Sequence, residues 1–162
     1  MAKEIERKFL VADDSWREAI ASRTRFRQGY IVSLDDRSVR VRIKGEDAAT
    51  LTIKVGVGVL VRDEYEYDIP VADAEELIAT APGIIIEKIR YTVEHEGFLW
   101  EIDVFDGIYR GLTVAEVELK SESDQPALPK WLGAEVTGDR RYSNQHLATD
   151  DLSSELCHAI QI

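Results

Sequence analysis

Charged residues recur two apart along this chain, and they are sorted by sign. Acidic pairs occur at Glu4/Glu6 in EIERKFL, Glu64/Glu66 in DEYEYDI, Glu101/Asp103 in WEIDVF and Glu116/Glu118 in AEVELK, and basic pairs at Arg40/Arg42 in VRVRIK and Lys88/Arg90 in EKIRY. Residues i and i+2 share one face of a β-strand, so each pair projects together, with apolar residues on the other face. Lys8 and Lys54 extend the same stripe at the ends of EIERK and LTIK. Side by side, like charges repel, and a ligand relieves them: carboxylate pairs suit divalent cations, and guanidinium or ammonium pairs suit phosphate oxygens. An antiparallel sheet with one face in water accounts for any single strand. The recurrence in seven strands, sorted by sign, points instead to an enclosed charged face.

The elements that must position these residues follow from a dominant period of two. The spacing predicts strands at 3–11, 25–34, 37–44, 49–55, 60–69, 85–95, 98–106 and 112–121, joined by turns at 34–37, 45–47, 56–58 (GVG), 94–97 and 106–111. Short connections make the sheet mostly antiparallel. Helices are expected at 13–22, after an aspartate, at 71–81, ended by Pro82-Gly83, and at 150–160, with shorter helical or turn segments at 126–132 and 138–147. The expected fold is mainly β, one domain over 1–162.

Eight antiparallel strands can close into a barrel whose bore holds one small ligand. Helices covering an apolar outer wall would leave the charged face inside. A bore lined by both acids and bases suits a short, multiply charged anion bound with metal, which describes a triphosphate. Composition agrees, since 31 acidic against 20 basic residues give a net charge of −11, which disfavours a duplex nucleic-acid binder and makes any anion site a local enclave. Cys157 has no internal partner, and His95, His146 and His158 show no zinc spacing. With no apolar leader and no apolar run near 18 residues, the expectation is a cytoplasmic protein with no membrane and no nucleic-acid partner.

With these motifs in order, the chain resembles the CYTH domain, or triphosphate tunnel metalloenzyme, family: EIERKFLV with its E-x-E-x-K signature, then QGY, VRVR, TIK, EYEY, EKIRY, WEIDVFDG, GLTVAEVEL and EVTGDRRYSN. The resemblance implies an eight-stranded antiparallel closed barrel with a charged lumen and helices outside, and hydrolysis of a phosphoanhydride bond, with inorganic tripolyphosphate as the favoured substrate. It further implies Glu4, Glu6, Glu116 and Glu118 as metal ligands, with Glu64, Glu66 and Asp103 as further carboxylates near the ions. Lys8, Arg40, Arg42, Lys54, Lys88 and Arg90 are the implied phosphate contacts. Tyr30 and Lys54, with Glu6 and Lys8, are the implied catalytic residues, and Mg²⁺ or Mn²⁺ the cofactor. In such a site hydrolysis needs positioning and charge stabilisation and no covalent intermediate.

Other readings stand beside this one. The same framework hosts adenylate cyclases and thiamine triphosphatases, and a non-catalytic polyphosphate or nucleotide binder would share the charged bore. A lipocalin-like carrier needs an apolar lumen, which this alternation places outside. The small-molecule triphosphate is the expected partner, and a homodimer stays open. Trp16, Trp100, Trp131, Phe9, Phe98 and Phe105 are expected as core between barrel wall and helices, and DRRYSN as a brace at one mouth, or with Arg140 and Arg141 guiding substrate in.

Overall fold

The computed structural model describes residues 2–56 and 61–159. Among these, alternating sequences form nine strands: β1 (Ala2–Val11), β2 (Ile20–Ser33), β3 (Arg37–Lys44), β4 (Ala48–Val55), β5 (Val61–Ile69), β6 (Ile86–His95), β7 (Phe98–Phe105), β8 (Thr113–Glu118) and β9 (Leu132–Glu135). Helices α1 (Val71–Thr80), α2 (Asn144–Thr149) and α3 (Ser153–Ala159) lie among them. The strand order is β5-β4-β3-β2-β6-β7-β8-β1-β9, and an added β5–β1 pairing closes the first eight into a barrel. All pairings are antiparallel.

β1 makes the closure. Its residues Ala2–Ile5 pair with β5, Glu6–Leu10 pair with β8, and Phe9 and Val11 pair with β9. Directly opposed residues share a face, and the register sets Lys8 across from Glu116, Lys54 across from Glu64, and Arg90 across from Asp103. The charged stripes therefore meet on one surface, inside the barrel.

The apolar face lies outside under two covers. Trp16, from the short 3-10 helix Ser15–Ala19, and Trp131, just before β9, pack with Phe9, Tyr91, Trp100 and Ile102. On the other side Ala74 and Ile78 of α1 cover Val41, Ile43 and Ala49. A third cluster occupies one end of the bore itself: Tyr30, Ile86, Phe105 and Val114 continue the inward stripes and meet Tyr142, Leu147 and Leu156 from the C-terminal segment. Phe105 thus belongs to this internal stopper rather than to the outer wall, whereas the three tryptophans and Phe9 are outer core, with Phe98 packed against it.

Three expected elements differ. The helix at 13–22 is only a 3-10 turn, organised by Asp13, whose carboxylate accepts from the backbone and hydroxyl of Ser15. From Ile20 the chain is strand, because Ile20, Ser22 and Thr24 complete the pairing of β6 at Val93, Thr92 and Arg90. The segment at 126–132, expected as helical or turn, holds a turn at 130–131 and no helix, since Pro126 and Pro129 lack the amide hydrogens a helix interior needs. Residues 132–135 form β9 instead, on the stretch of β1 beyond its pairing with β5. The segment expected at 138–147 is a 3-10 turn, Arg140–Tyr142, followed by α2. Of the turn at 56–58, residues 57 and 58 lie outside the described residues. No helix among the described residues is long and apolar enough to cross a membrane.

Candidate active site

Inside the barrel the charges neutralise one another across strands. Lys54 Nζ lies 2.8 Å from Glu4 Oε1 and 3.9 Å from Glu64, and Lys8 Nζ lies 3.5 Å from Glu116. Deeper in, Asp103 takes Lys88 Nζ at 2.6 Å and Arg90 Nε at 2.7 Å, so both of its oxygens are engaged by cations. Burial alone would raise its carboxyl, but Arg90 and Lys88 outweigh burial and hold it well below the usual carboxylate range. Lys88 is buried and pushed down to about 7, first by desolvation, with Arg90 and Arg42 adding to it against the opposing pull of Asp103. Its ammonium also donates to Asn144 Oδ1 at 3.0 Å.

The carboxylates gather on β1 and its two neighbours. Glu6 is pushed up to about 8 by burial and then by the charges of Glu116 and Glu4. Glu64 rises to about 7 through burial and its hydrogen bond with Glu4. Burial pulls Glu4 and Glu116 upward too, yet the nearby lysines and shared hydrogen bonds bring both below the usual value. The result is two crowded carboxyl pairs, Glu4 with Glu64 and Glu6 with Glu116, in each of which one acid is pushed up and the other held down. A divalent cation would relieve that crowding. Among the described residues no three acidic, histidine or cysteine side chains form a ready-made cage. That suits Mg²⁺-type sites, which use one or two carboxylates with waters and phosphate oxygens.

The basic side of the bore is left wanting partners. Arg42 donates to Gln28 Oε1 at 2.7 Å, and Arg40 reaches Thr52 at 3.4 Å, but Arg40 Nε, Gln28 Nε2 and Thr50 Oγ1 are buried with no hydrogen-bond partner. Unpaired buried donors are costly, and an anion bound among them would remove that cost. Phe26 lies beneath this group, with Arg42, Arg90 and Lys88 over its ring.

Of the residues singled out by alternation, Glu4, Glu6, Lys8, Arg40, Arg42, Lys54, Glu64, Lys88, Arg90, Asp103 and Glu116 meet in this bore. Glu66 and Glu118 sit at its exposed rim, Glu66 beside Lys44 at 3.6 Å. Asp103 lies among cations rather than beside the carboxyl pairs. Tyr30 is in the apolar stopper, and among the described residues no hydrogen bond joins it to Lys54, which is held by Glu4. Sequence reasoning passed over Phe26, Thr50 and Thr52, although their alternation with Gln28 and Lys54 carried the signal. Asn144 gave none, because it reaches the bore from the start of α2.

Comparison with known proteins decides the family, since the CYTH domain matches residues 2–149. This chain belongs to the CYTH domain family. It is 45% identical to an inorganic triphosphatase of Acetivibrio thermocellus over 148 residues, 91% of this chain and 94% of that protein. It is 38% identical to an inorganic triphosphatase of Nitrosomonas europaea, over 90% of this chain and 96% of that one. The crystal structure of the inorganic triphosphatase NE1496 superposes with a TM-score of 0.65 at 37% identity, covering 93% of this chain and 97% of that one. The CYTH match ends at residue 149, at the end of α2, so the segment that stoppers the bore is mostly inside it and α3 lies beyond.

Proposed function

We propose that this CYTH chain hydrolyses inorganic tripolyphosphate to diphosphate and phosphate inside the barrel, with Mg²⁺ or Mn²⁺ bound. The carrying observation is the meeting, in one bore, of two crowded carboxyl pairs, Glu4 with Glu64 and Glu6 with Glu116, and the orphaned donors of Arg40, Gln28 and Thr50. The activity named for both sequence relatives supports the same reading. Carboxylates of the Glu4/Glu64 and Glu6/Glu116 pairs would hold the cation together with water and phosphate oxygens, with Glu66 and Glu118 further out at the rim. Bound there, it would neutralise phosphate charge and help polarise the attacking water. Lys8, Arg40, Arg42, Lys54, Lys88 and Arg90 hold the phosphate oxygens, and Asp103 fixes the positions of Lys88 and Arg90. Water attacks the terminal phosphorus as the bridging P–O bond breaks, and diphosphate leaves with the bond electrons while basic side chains stabilise its charge. Glu6, ionised once a cation is bound, would orient the attacking water and accept its proton, while Lys54 and Lys8 steady the charge that forms. The single Cys157 fits a cytoplasmic setting.

The test is a panel of tripolyphosphate, ATP and thiamine triphosphate with Mg²⁺, Mn²⁺ or EDTA. Tripolyphosphate should be the best substrate, with activity lost in EDTA. Cyclic AMP from ATP, preference for thiamine triphosphate, or tight binding without phosphate release would each replace this reading with the corresponding one.

Tyr30→Phe removes only a hydroxyl and keeps the ring in its apolar cluster. If the hydroxyl assists the chemistry, turnover falls and the pH–rate curve changes, while KM for tripolyphosphate stays near wild type. Unchanged turnover with an unchanged curve would make Tyr30 packing alone.

A further inference from the structure

Glu6 and Lys8 face the lumen, yet they also line a cleft beside the stoppered end, bordered by Asp35, Gly56, Arg62 and residues 136–146, among which Asp139 is held by Arg141. The bore therefore has a side opening. Two guanidiniums reach it: Arg62, which stands opposite Glu4 in the β1–β5 register, and Arg140, exposed in the turn before α2. Neither makes an ion pair among the described residues. On the rest of the surface most arginines are spent: Arg7 on Glu135, Arg37 on Asp36, Arg110 on Asp106, and Arg141, next to Arg140, on Asp139 and Glu155. The only other arginines facing the bore or its cleft without a carboxylate are Arg40 and Arg42, so free guanidiniums run from the cleft to the lumen.

The opposite rim has the reverse character. Glu66, Glu101 and Glu118 stand there, and the lysine among them, Lys44, is held by Glu66. A polyanion approaching a protein of net charge −11 is repelled on average, and that acidic rim adds to the repulsion. The cleft, where Asp35 stands near two guanidiniums unpaired among the described residues, is the approach that offers a polyanion cations not already held by carboxylates.

We infer that this cleft is a capture site for inorganic polyphosphate anions, in which Arg62 and Arg140 hold a phosphate group on arrival and pass it to Lys8 at the lumen. The inference rests on the triphosphate reading above and adds the route and two residues to it. Attraction by exposed charges is screened by salt, with a Debye length of about 10 Å at 0.1 M, so capture leaves a kinetic signature that packing does not.

The experiment compares wild type, Arg62→Ala/Arg140→Ala, and Arg25→Ala, which removes an arginine from the outer wall. The double variant should lose about tenfold or more in kcat/KM for tripolyphosphate, mostly through KM, and its kcat/KM should fall less steeply with added NaCl. Arg25→Ala should match wild type. Thermal melts check the fold, and if the double variant is unfolded, Arg140→Ala, at an exposed position, carries the same comparison. Calorimetric titration of tripolyphosphate into EDTA-treated protein separates the two readings, because it needs no turnover. Hydrolysis by wild type together with unchanged kcat/KM and salt dependence in the variant overturns the cleft and leaves the function standing. If wild type hydrolyses no triphosphate, the functional reading falls. The titration then decides the cleft: equal binding by wild type and variant overturns it, and weaker binding by the variant supports it.

Discussion

Glu6→Gln is expected to lower tripolyphosphate turnover by at least ~10²-fold, about 2.7 kcal/mol of transition-state stabilisation, while the protein stays folded. The amide keeps the size of the side chain but can neither bind a cation as a carboxylate nor take a proton from water. The stability side of the result has a sign that ordinary active-site damage lacks. Glu6 in the folded, metal-free protein titrates at about 8 against an ordinary 4.5, so its favourable contribution is full below pH about 4.5 and is lost as pH rises through about 8. Metal-free wild type should therefore weaken between those values, and the variant should weaken less, because an amide never ionises against Glu116 and Glu4. Turnover assays and urea unfolding in EDTA at pH 5 and pH 8.5 read both halves. Near-normal turnover, or a variant that weakens as much as wild type between pH 5 and pH 8.5, would sink the assignment of Glu6 to a crowded carboxyl pair that a cation relieves.

Asp103→Ala should cost about 3–5 kcal/mol of stability, because it strands Lys88 and Arg90 in the barrel without their counter-charge. Lys88 is 1% exposed and Asp103 2%, so water cannot take over the missing contacts without rearrangement. Asp103→Asn should recover little, since the lost quantity is the charge. In wild type the carboxyl is held low, so its contribution is present above its unfolded value near 3.8 and is lost as pH falls below that. Urea midpoints at neutral pH test this directly. A cost below ~1 kcal/mol would mean that the two cations find other partners, and the description of Asp103 as their anchor would fail.

The barrel was legible because its signal is repeated. Each of Glu4/Glu6, Arg40/Arg42, Glu64/Glu66, Lys88/Arg90 and Glu116/Glu118 alternates with apolar neighbours, and a one-residue slip in any of them would turn charges onto the outer wall. That redundancy fixed the face of every strand before any pairing was known. Where a segment takes its conformation from a partner, the local pattern misleads. Ile20–Thr24 looks like the end of a helix but is strand because β6 needs a neighbour, and residues 132–135 pair because β1 still has a free edge. Phe105 and Tyr30 follow the inward stripe as the alternation requires, but only the folded C-terminal segment shows that this end of the stripe is apolar and sealed. Asn144 and Arg140 reach the bore and its cleft through that same segment; Arg140 was marked by the basic DRRYSN motif, but no spacing along the strands gave Asn144 its contact with Lys88.

Closure of the cylinder rests on β1. Among the described residues it meets β5 over four residue pairs, Ala2–Ile5 against Val61–Glu64, and β8 over five. The β1–β5 joint is where the ring closes. Glu4 stands on one side of that joint and Glu64 on the other. A cation shared between them, as proposed above, would fasten the ring as a clasp fastens a collar, so that loading the ion and locking the cylinder would become the same event.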